Sequence, residues 1–570
     1  MSVKIATRVH AESPGGAPFI IDRARFVPGG QIDVSGLDLA EDRLFNWPMV
    51  YILANDDEAY VGQTTSVVSR MGQHGANPEK KSFTTVNVIY NEEFNASVIT
   101  DYEHRLIGYM HGDGRYRLTN KNDGMTDTNY FSKARYASMF DDLWNDLRRL
   151  DLADHTIEEI EESEVFKYSP YKGLTVDQRV ALDKIMEAIE AGLENAKPIV
   201  VQGMPGTGKT ILAIYLLKML KDDPRYADLN VRIVEPVASL RTTLKKSLKG
   251  VSGMSGKDII GPADIAKKEF GWVPGKKKCF DIVLVDEAHR LKRRVNLGSS
   301  FRSFDDVNRK LGFGKESTQM DWILDQAKLP VFFYDPLQAV GPSCLNPVSI
   351  RETLGSSIDA PISLDSQMRV KGGKEYLDYV EGILSGADEP PRRFSGYEFL
   401  LHEDFDEFAQ SFERTLAEHD LSRMLAGYAW KWMTNPKKTH DPDRLMSDIN
   451  IGSTHLRWNC TYDNWVGKGV DDPRIAHEVG CIHSIQGYDL SYAYVILGPD
   501  IRFDSESGKI VADKAHYCDR NGYATATPKE LNRYIKNIYY VLLTRGIYGT
   551  HVYVCDRGLR ELFKRYVPSA

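Results

Sequence analysis

Short apolar runs bounded by turn residues alternate with longer stretches of helical period, the pattern of a mixed α/β chain. Residues 1–46 stand apart, with few pattern signals and no predicted element. From Pro48 the pattern predicts a strand (MVYILAND), a turn and a second strand (EAYVGQ), then a helix holding Val67, Val68 and Met71. A β-like run, FTTVNVIY at 83–90, precedes a helix from roughly Ala96 to Met110, and a polar loop surrounds Asn120. Much of 130–170 is charged and partly amphipathic and reads as a helical connector.

Beyond Tyr171 the runs PIVVQG, VRIVEP, CFDIVLV, LPVFFY and HVYVC predict buried strands, with helices between them. The helix after VRIVEP, ASLRTTLKKSLK, is basic, and the one at 402–419 spaces Phe405, Phe408, Phe412 and Leu416 as a core stripe. Thr527 to Glu530 form a capping box with Pro528 at the first helical position.

Composition narrows the class. At 570 residues the chain exceeds one domain, and 42% apolar with 27% charged residues is the balance of a soluble globular protein. No apolar run reaches the ~18 residues that span a bilayer, and the N-terminus lacks a secretory apolar region. Six scattered cysteines without a C-x-x-C pair argue against a zinc ribbon or disulfide scaffold and fit a reducing cytoplasm, the expected location. With 72 basic against 80 acidic residues, the net charge of −8 gives no global footprint for nucleic acid. The basic residues are bunched, however: Lys245, Lys246 and Lys249; Lys267 and Lys268; Lys276 to Lys278; Lys292, Arg293 and Arg294. Such bunching suits a phosphate-backbone track as well as a solvated face.

The sharpest chemical signal is the turn between PIVVQG and the helix ILAIYLLKML. Gly203, Gly208, Lys209 and Thr210 occupy the defining positions of G-x-x-x-x-G-K-[ST], with Gly206 and Thr207 inside the turn. Such glycines let backbone N–H groups wrap a triphosphate, and the following helix aims its positive end at the same anion. Lys209 then reaches the β/γ-phosphates of ATP, and the Thr210 hydroxyl ligates Mg²⁺. Downstream, CFDIVLV ends in Asp286, which would hold Mg²⁺ through water, and Glu287, which would orient the hydrolytic water.

Further motifs follow in order. LTVDQ resembles the glutamine motif with which helicases read adenine, making Gln178 the candidate. LPVFFYDPLQ resembles the superfamily 1 helicase motif whose glutamine senses the γ-phosphate, here Gln338. LDSQMR supplies Arg369, EVGCIHSIQGYDL centres on His483, Gln486 and Gly487, and TRG places Arg545 at the arginine-finger position. With SRMLAGYAWKW and LRWN, the stretch 171–570 resembles the bacterial Schlafen group 3-like helicase family. The resemblance implies two RecA-like parallel-sheet lobes: 171–357 with the phosphate loop, and 358–570 with the arginine fingers.

Upstream, Tyr51, Tyr60, Arg70, His74, Glu103 and Asn120 occur in the order of the GIY-YIG nuclease domain, which 47–130 resembles. The resemblance implies a small α/β domain in which Glu103 holds one divalent metal. Tyr51, Tyr60 and His74 would manage protons, and Arg70 would stabilise the phosphate. Two departures stand out: the first triplet is Met49-Val50-Tyr51, and the spacing from Tyr51 to Tyr60 is short for the family. With 1–46 as an N-terminal extension and 131–170 as the connector, the expectation is an ATP- and Mg²⁺-dependent nuclease–translocase, a function suited to defence against foreign DNA or to repair. DNA is favoured over RNA as its partner, with no membrane. An ATP-gated nuclease without translocation, and a nucleic-acid-binding ATPase with an inert first domain, stay open.

Overall fold

The computed structural model describes residues 19–26, 44–120, 130–171, 173–249, 251–345, 347–435, 447–459, 465–466, 468–469, 471–485 and 488–570. The chain divides into two compact units, Met1–Glu187 with Thr210–Gly261, and Ala188–Lys209 with Pro262–Ala570.

The first unit opens with a five-stranded sheet, in the order β1 (Ile20–Arg25), β4 (Thr85–Tyr90), β2 (Met49–Ala54), β3 (Glu58–Thr64), β5 (Arg117–Leu118). Its pairs are antiparallel except β3 with β5. β1 falls within the stretch for which the sequence pattern predicts no element. The β2–β3 hairpin closes on Asn55, whose side-chain oxygen accepts from the backbone N–H of Asp57 and Glu58 at 2.9 and 2.7 Å. All six residues of β2 are buried, so the central strand is covered on both faces. The helix Ala96–Asp113, capped by Asn95 and ended by the left-handed Gly114, packs on this sheet. A second helix, Lys133–Arg149, joins it through Tyr102 against Phe140, 5.4 Å between ring centroids. The same unit holds most of the helix Val176–Glu190, the apolar helix Lys209–Asp222 from Thr210 on, the basic helix Ala238–Ser247, and a parallel pair of short strands, Val231–Val234 and Ile259–Ile260.

The second unit is built on two sheets. In one, Ile199–Gly203, Phe280–Val285, Ala327–Tyr334 and Ile362–Leu364 run parallel, with Ile199–Gly203 and Ala327–Tyr334 inside. Phe280–Val285 and Ala327–Tyr334 are buried almost throughout, as strands covered on both faces are. The other has seven strands, in the order Glu398–His402, Gly546–Val554, Leu490–Leu497, Arg423–Ala426, Glu478–Gly480, Thr454–Trp458, Ile449–Ile451, parallel apart from the last pair. The helix Phe405–Glu418 buries the predicted Phe405, Phe408, Phe412 and Leu416 stripe. The Thr527–Glu530 capping box starts the helix Pro528–Leu543. These are parallel sheets of the expected RecA-like kind in an α/β chain, with one difference: Ile362–Leu364, expected in the second lobe, pairs with Ile199–Gly203 in the sheet of the first. Among the described residues no helix is long and apolar enough to cross a membrane.

Candidate functional site

In the first unit, antiparallel register sets Tyr51 opposite Gly62. The tyrosine ring lies across that glycine so closely that a Cβ there would come within 2.2 Å of Tyr51 Oη. The helix Val67–Ala76 then delivers Arg70 and His74 from one face, one turn apart. His74 Nε2 lies 2.7 Å from Tyr51 Oη, and Arg70 Nε donates to the same oxygen at 3.1 Å. The Tyr60 ring stands edge-on to His74 at 5.3 Å, and the Lys80 ammonium sits 3.4 Å from the Tyr60 ring centre. Three of the sequence candidates, Tyr60, Arg70 and His74, thus meet around the Tyr51 phenol, and the charge of Glu103 acts on it as well.

The electrostatics fix the protons. Burial first, then the charges of Arg70 and Lys80, hold His74 down to about 4, so its ring is neutral at neutral pH. Burial, joined by Tyr60, pushes the Tyr51 phenol well above its usual range. With Arg70 donating to Oη, the phenol directs its own proton to His74 Nε2. Asn120 lies just past β5, and its amide clamps Val61 of β3, accepting from the backbone N–H at 3.0 Å and donating to the carbonyl at 2.8 Å.

In the second unit the phosphate loop carries left-handed Gly206 and Gly208 at φ 84° and 75°. The Lys209 ammonium donates to the carbonyls of Gly203 and Met204 at 2.6 and 2.9 Å and lies 3.9 Å from Asp335 Oδ2. Thr207 Oγ1 donates to Met204 O at 2.9 Å, and Thr210 is the second residue of the following helix. Asp286 is fully buried, and its Oδ1 accepts the Glu287 N–H at 3.0 Å. Glu287 itself is left-handed at φ 46°, with its carboxylate 2.9 Å from His289 Nε2. Burial pushes its carboxyl up, but His289, Lys209 and Arg290 together hold it below the usual carboxylate range, so it stays ionised. Gln338 Nε2 donates to Asp335 Oδ2 at 2.7 Å.

The segment after Ile362–Leu364 is fastened onto the loop. Gln367 Nε2 donates to Pro205 O at 2.6 Å, and Met368 N–H to Gly206 O at 3.0 Å. This aims Arg369 at Asp489, 2.5 Å away. Arg545 is buried, donates to Tyr488 O at 3.4 Å, and is held down to about 10 by burial and by the Arg369 charge. Gln178, in the first unit, is fully buried and accepts the Thr175 N–H at 2.9 Å. His483 stands edge-on to Tyr428 at 5.8 Å. Gln486 and Gly487 lie outside the described residues.

Sequence reasoning passed over Lys80, His289, Gln367 and Asp489. Gln367 and Asp489 stand two residues from motif positions, the one available signal; Lys80 has none. The basic bunches are also sorted. Arg294 pairs with Asp305, Lys267 with Asp264, Lys277 with Asp325, and Lys278 donates to two carbonyls. Lys245, Lys246 and Lys249 make no ion pair among the described residues and line an open concavity of about 480 Å³. No group of three or more metal-ligating side chains occurs among the described residues. Of the expected Mg²⁺ ligands, Asp286 and Glu103 offer single hard carboxylates and Thr210 a hydroxyl, oxygen donors of the kind this cation takes together with water and phosphate oxygens.

The chain is similar to several known proteins. It is 22% identical over 439 residues to the uncharacterized protein YPL245W of Saccharomyces cerevisiae, covering 69% of this chain and 90% of that one. The arterivirus nonstructural protein 10 helicase is 15% identical with a TM-score of 0.27, covering 66% of this chain; the match spans 64% of the viral chain, less than two thirds of its length. Saccharomyces cerevisiae Dbp5 bound to RNA and ADP–BeF₃ is 12% identical with a TM-score of 0.34, covering 70% of this chain and 89% of that one. The family model described as Schlafen group 3, DNA/RNA helicase domain matches residues 196–556, and so the chain belongs to that family, with a helicase-like ATPase over more than half its length.

Proposed function

We propose that the chain is an ATP-dependent nuclease–translocase acting on DNA. Its ATPase lobes load or move the strand, and its N-terminal sheet domain, of GIY-YIG type, cuts it. What supports the nuclease half is one arrangement: Tyr51 Oη within hydrogen-bond reach of both His74 Nε2 and Arg70 Nε, beside Tyr60. A neutral imidazole next to a phenol can accept the proton that leaves an attacking water by way of Tyr51. The phosphorus–oxygen bond to water forms as the bond to the leaving deoxyribose oxygen breaks, and the Arg70 fork matches the phosphate between them. A Mg²⁺ ion on Glu103 would supply Lewis acidity to that phosphate.

In the ATPase half, Lys209 exchanges two loop carbonyls for phosphate oxygens, and Glu287, kept ionised, orients the water. Arg369 and Arg545 meet the charge that develops on the transferred phosphoryl group. Lys245, Lys246 and Lys249 are the candidate contacts to the DNA backbone.

The test is cleavage of supercoiled plasmid by the full chain in Mg²⁺, with and without ATP, alongside Glu103→Ala and Lys209→Ala. Cutting lost in Glu103→Ala and altered by ATP in the wild type, but not in Lys209→Ala, supports the reading. Cutting by Glu103→Ala at the wild-type rate would sink the assigned site. Displacement of streptavidin from biotinylated ends, absent in Lys209→Ala, separates translocation from a nucleotide switch that only gates cutting.

A further inference from the structure

The phosphate-loop helix carries a charge where an apolar side chain would pack more cheaply. Lys218, nine residues after Lys209 on the helix Lys209–Asp222, is 1% exposed and pairs with both carboxylate oxygens of Asp222 one turn on. Buried ion pairs contribute little net stability over apolar packing, and their best-attested use is to fix register. This pair faces the N-terminal domain. The Lys218 ammonium lies 5.8 Å from the Tyr171 ring, and His111, from the helix that bears Glu103, stands edge-on to that ring at 5.3 Å.

Tyr171 is itself buried, and its hydroxyl donates to Asn120 O at 3.3 Å. The Asn120 side chain holds both backbone groups of Val61. Val61 sits between Tyr60 and Gly62, the glycine on which the Tyr51 ring lies. A chain of buried contacts, an ammonium beside a ring and then hydrogen bonds, therefore runs from the helix that starts at the phosphate loop to the strand that shapes the candidate cleavage site.

We propose that Tyr171 is a positioning residue that couples nucleotide at the phosphate loop to the geometry of the Tyr51–His74–Arg70 cluster, through Asn120 and β3. Nucleotide engages Lys209 and Thr210, the first turn of the helix. The helix carries the response along its length to Lys218, whose ammonium lies beside the Tyr171 ring, and Asn120 passes it to Val61. Because a side chain of any size at 62 would strike Tyr51, small displacements of β3 change the seat of the Tyr51 ring. The effect on cleavage rests on the nuclease reading proposed above; the mechanical link does not.

The experiment is hydrogen–deuterium exchange of residues 58–64 in the full chain, with and without a non-hydrolysable ATP analogue at saturation. It is run on wild type, on Tyr171→Phe, and on a Lys218→Met, Asp222→Leu double variant that removes both buried charges together. The Val61 amide, bonded to Asn120, is the reporter. The expected result is a nucleotide-dependent change in its exchange of about fivefold or more in wild type, and less than half of that in Tyr171→Phe, with analogue affinity kept. No response in nucleotide-saturated wild type, or an undiminished response in Tyr171→Phe, overturns the inference. Plasmid cutting in the same preparations separates the two ideas: an exchange response without any cutting would count against the nuclease and not against the coupling.

Discussion

Replacing Gly206 by alanine tests how the segment after Ile362–Leu364 grips the phosphate loop. At φ 84° an alanine is strained by about 1 kcal/mol whatever surrounds it. Its Cβ would also stand 2.2 Å from Gln367 Oε1 and 2.7 Å from Arg369 Cβ, about an ångström inside ordinary contact. Gln367 would have to move. Its oxygen accepts from the N–H of Arg369 and Val370 at 2.8 and 3.3 Å, and its amide donates to Pro205 O. Loss of two of these three bonds costs about 2 kcal/mol. The total of about 3 kcal/mol corresponds to roughly a hundredfold drop in the population that presents Arg369 correctly. Steady-state ATPase of Gly206→Ala should therefore show kcat lower by about two orders of magnitude, with a fall in Tm of only a few degrees because the damage is local. Gln367→Ala removes the obstacle, so the double variant should lose less than the two single losses combined. A Gly206→Ala enzyme within threefold of wild type would show that the Gln367–Arg369 seat does not matter for hydrolysis.

Four further outcomes are expected. Gly62→Ala drives a methyl into Tyr51 Oη and should abolish plasmid cutting while ATPase stays within twofold of wild type, measured side by side. His111, buried and held down to about 4, binds its proton more weakly folded than unfolded, where 6.5 applies. Its contribution is therefore intact above pH 6.5 and lost as pH falls toward 4, about 1.4 kcal/mol by pH 5.5. The loss of Tm between pH 7.5 and 5.5 should be smaller in His111→Phe by calorimetry. Changing Lys245, Lys246 and Lys249 to alanine should flatten the salt dependence of DNA binding by up to about three phosphate contacts in a fluorescence titration, without altering nucleotide-only ATPase. Thr527→Ala removes a capping box and should cost about 1 kcal/mol in denaturant unfolding.

Local chemistry was legible in the sequence, and long-range partnership was not. The phosphate loop, the Asp286-Glu287 pair and the Thr527 box are defined by spacing within a few residues, so their elements formed where the pattern predicted. The strand Ile20–Arg25 escaped because it is short and mixed in character. Its Arg23 is fixed by Asn87 and by Leu150 O, partners far along the chain, and strand formation depends on such context. Lys80 above Tyr60 and Tyr171 beneath Asn120 are the same kind of case: nothing near either residue marks it. Four basic bunches looked alike in the sequence, and only the folded chain separates those with acidic or carbonyl partners from the one without.

Glu287 sets two demands on one position against each other. A residue with a long side chain holds a left-handed conformation that glycine or asparagine would adopt with less strain. The fold alone would be more comfortable with a different letter at 287. A glycine there would relieve the backbone and at the same stroke remove the carboxylate that His289, Lys209 and Arg290 hold ionised, so conformational ease and negative charge cannot both be had at 287.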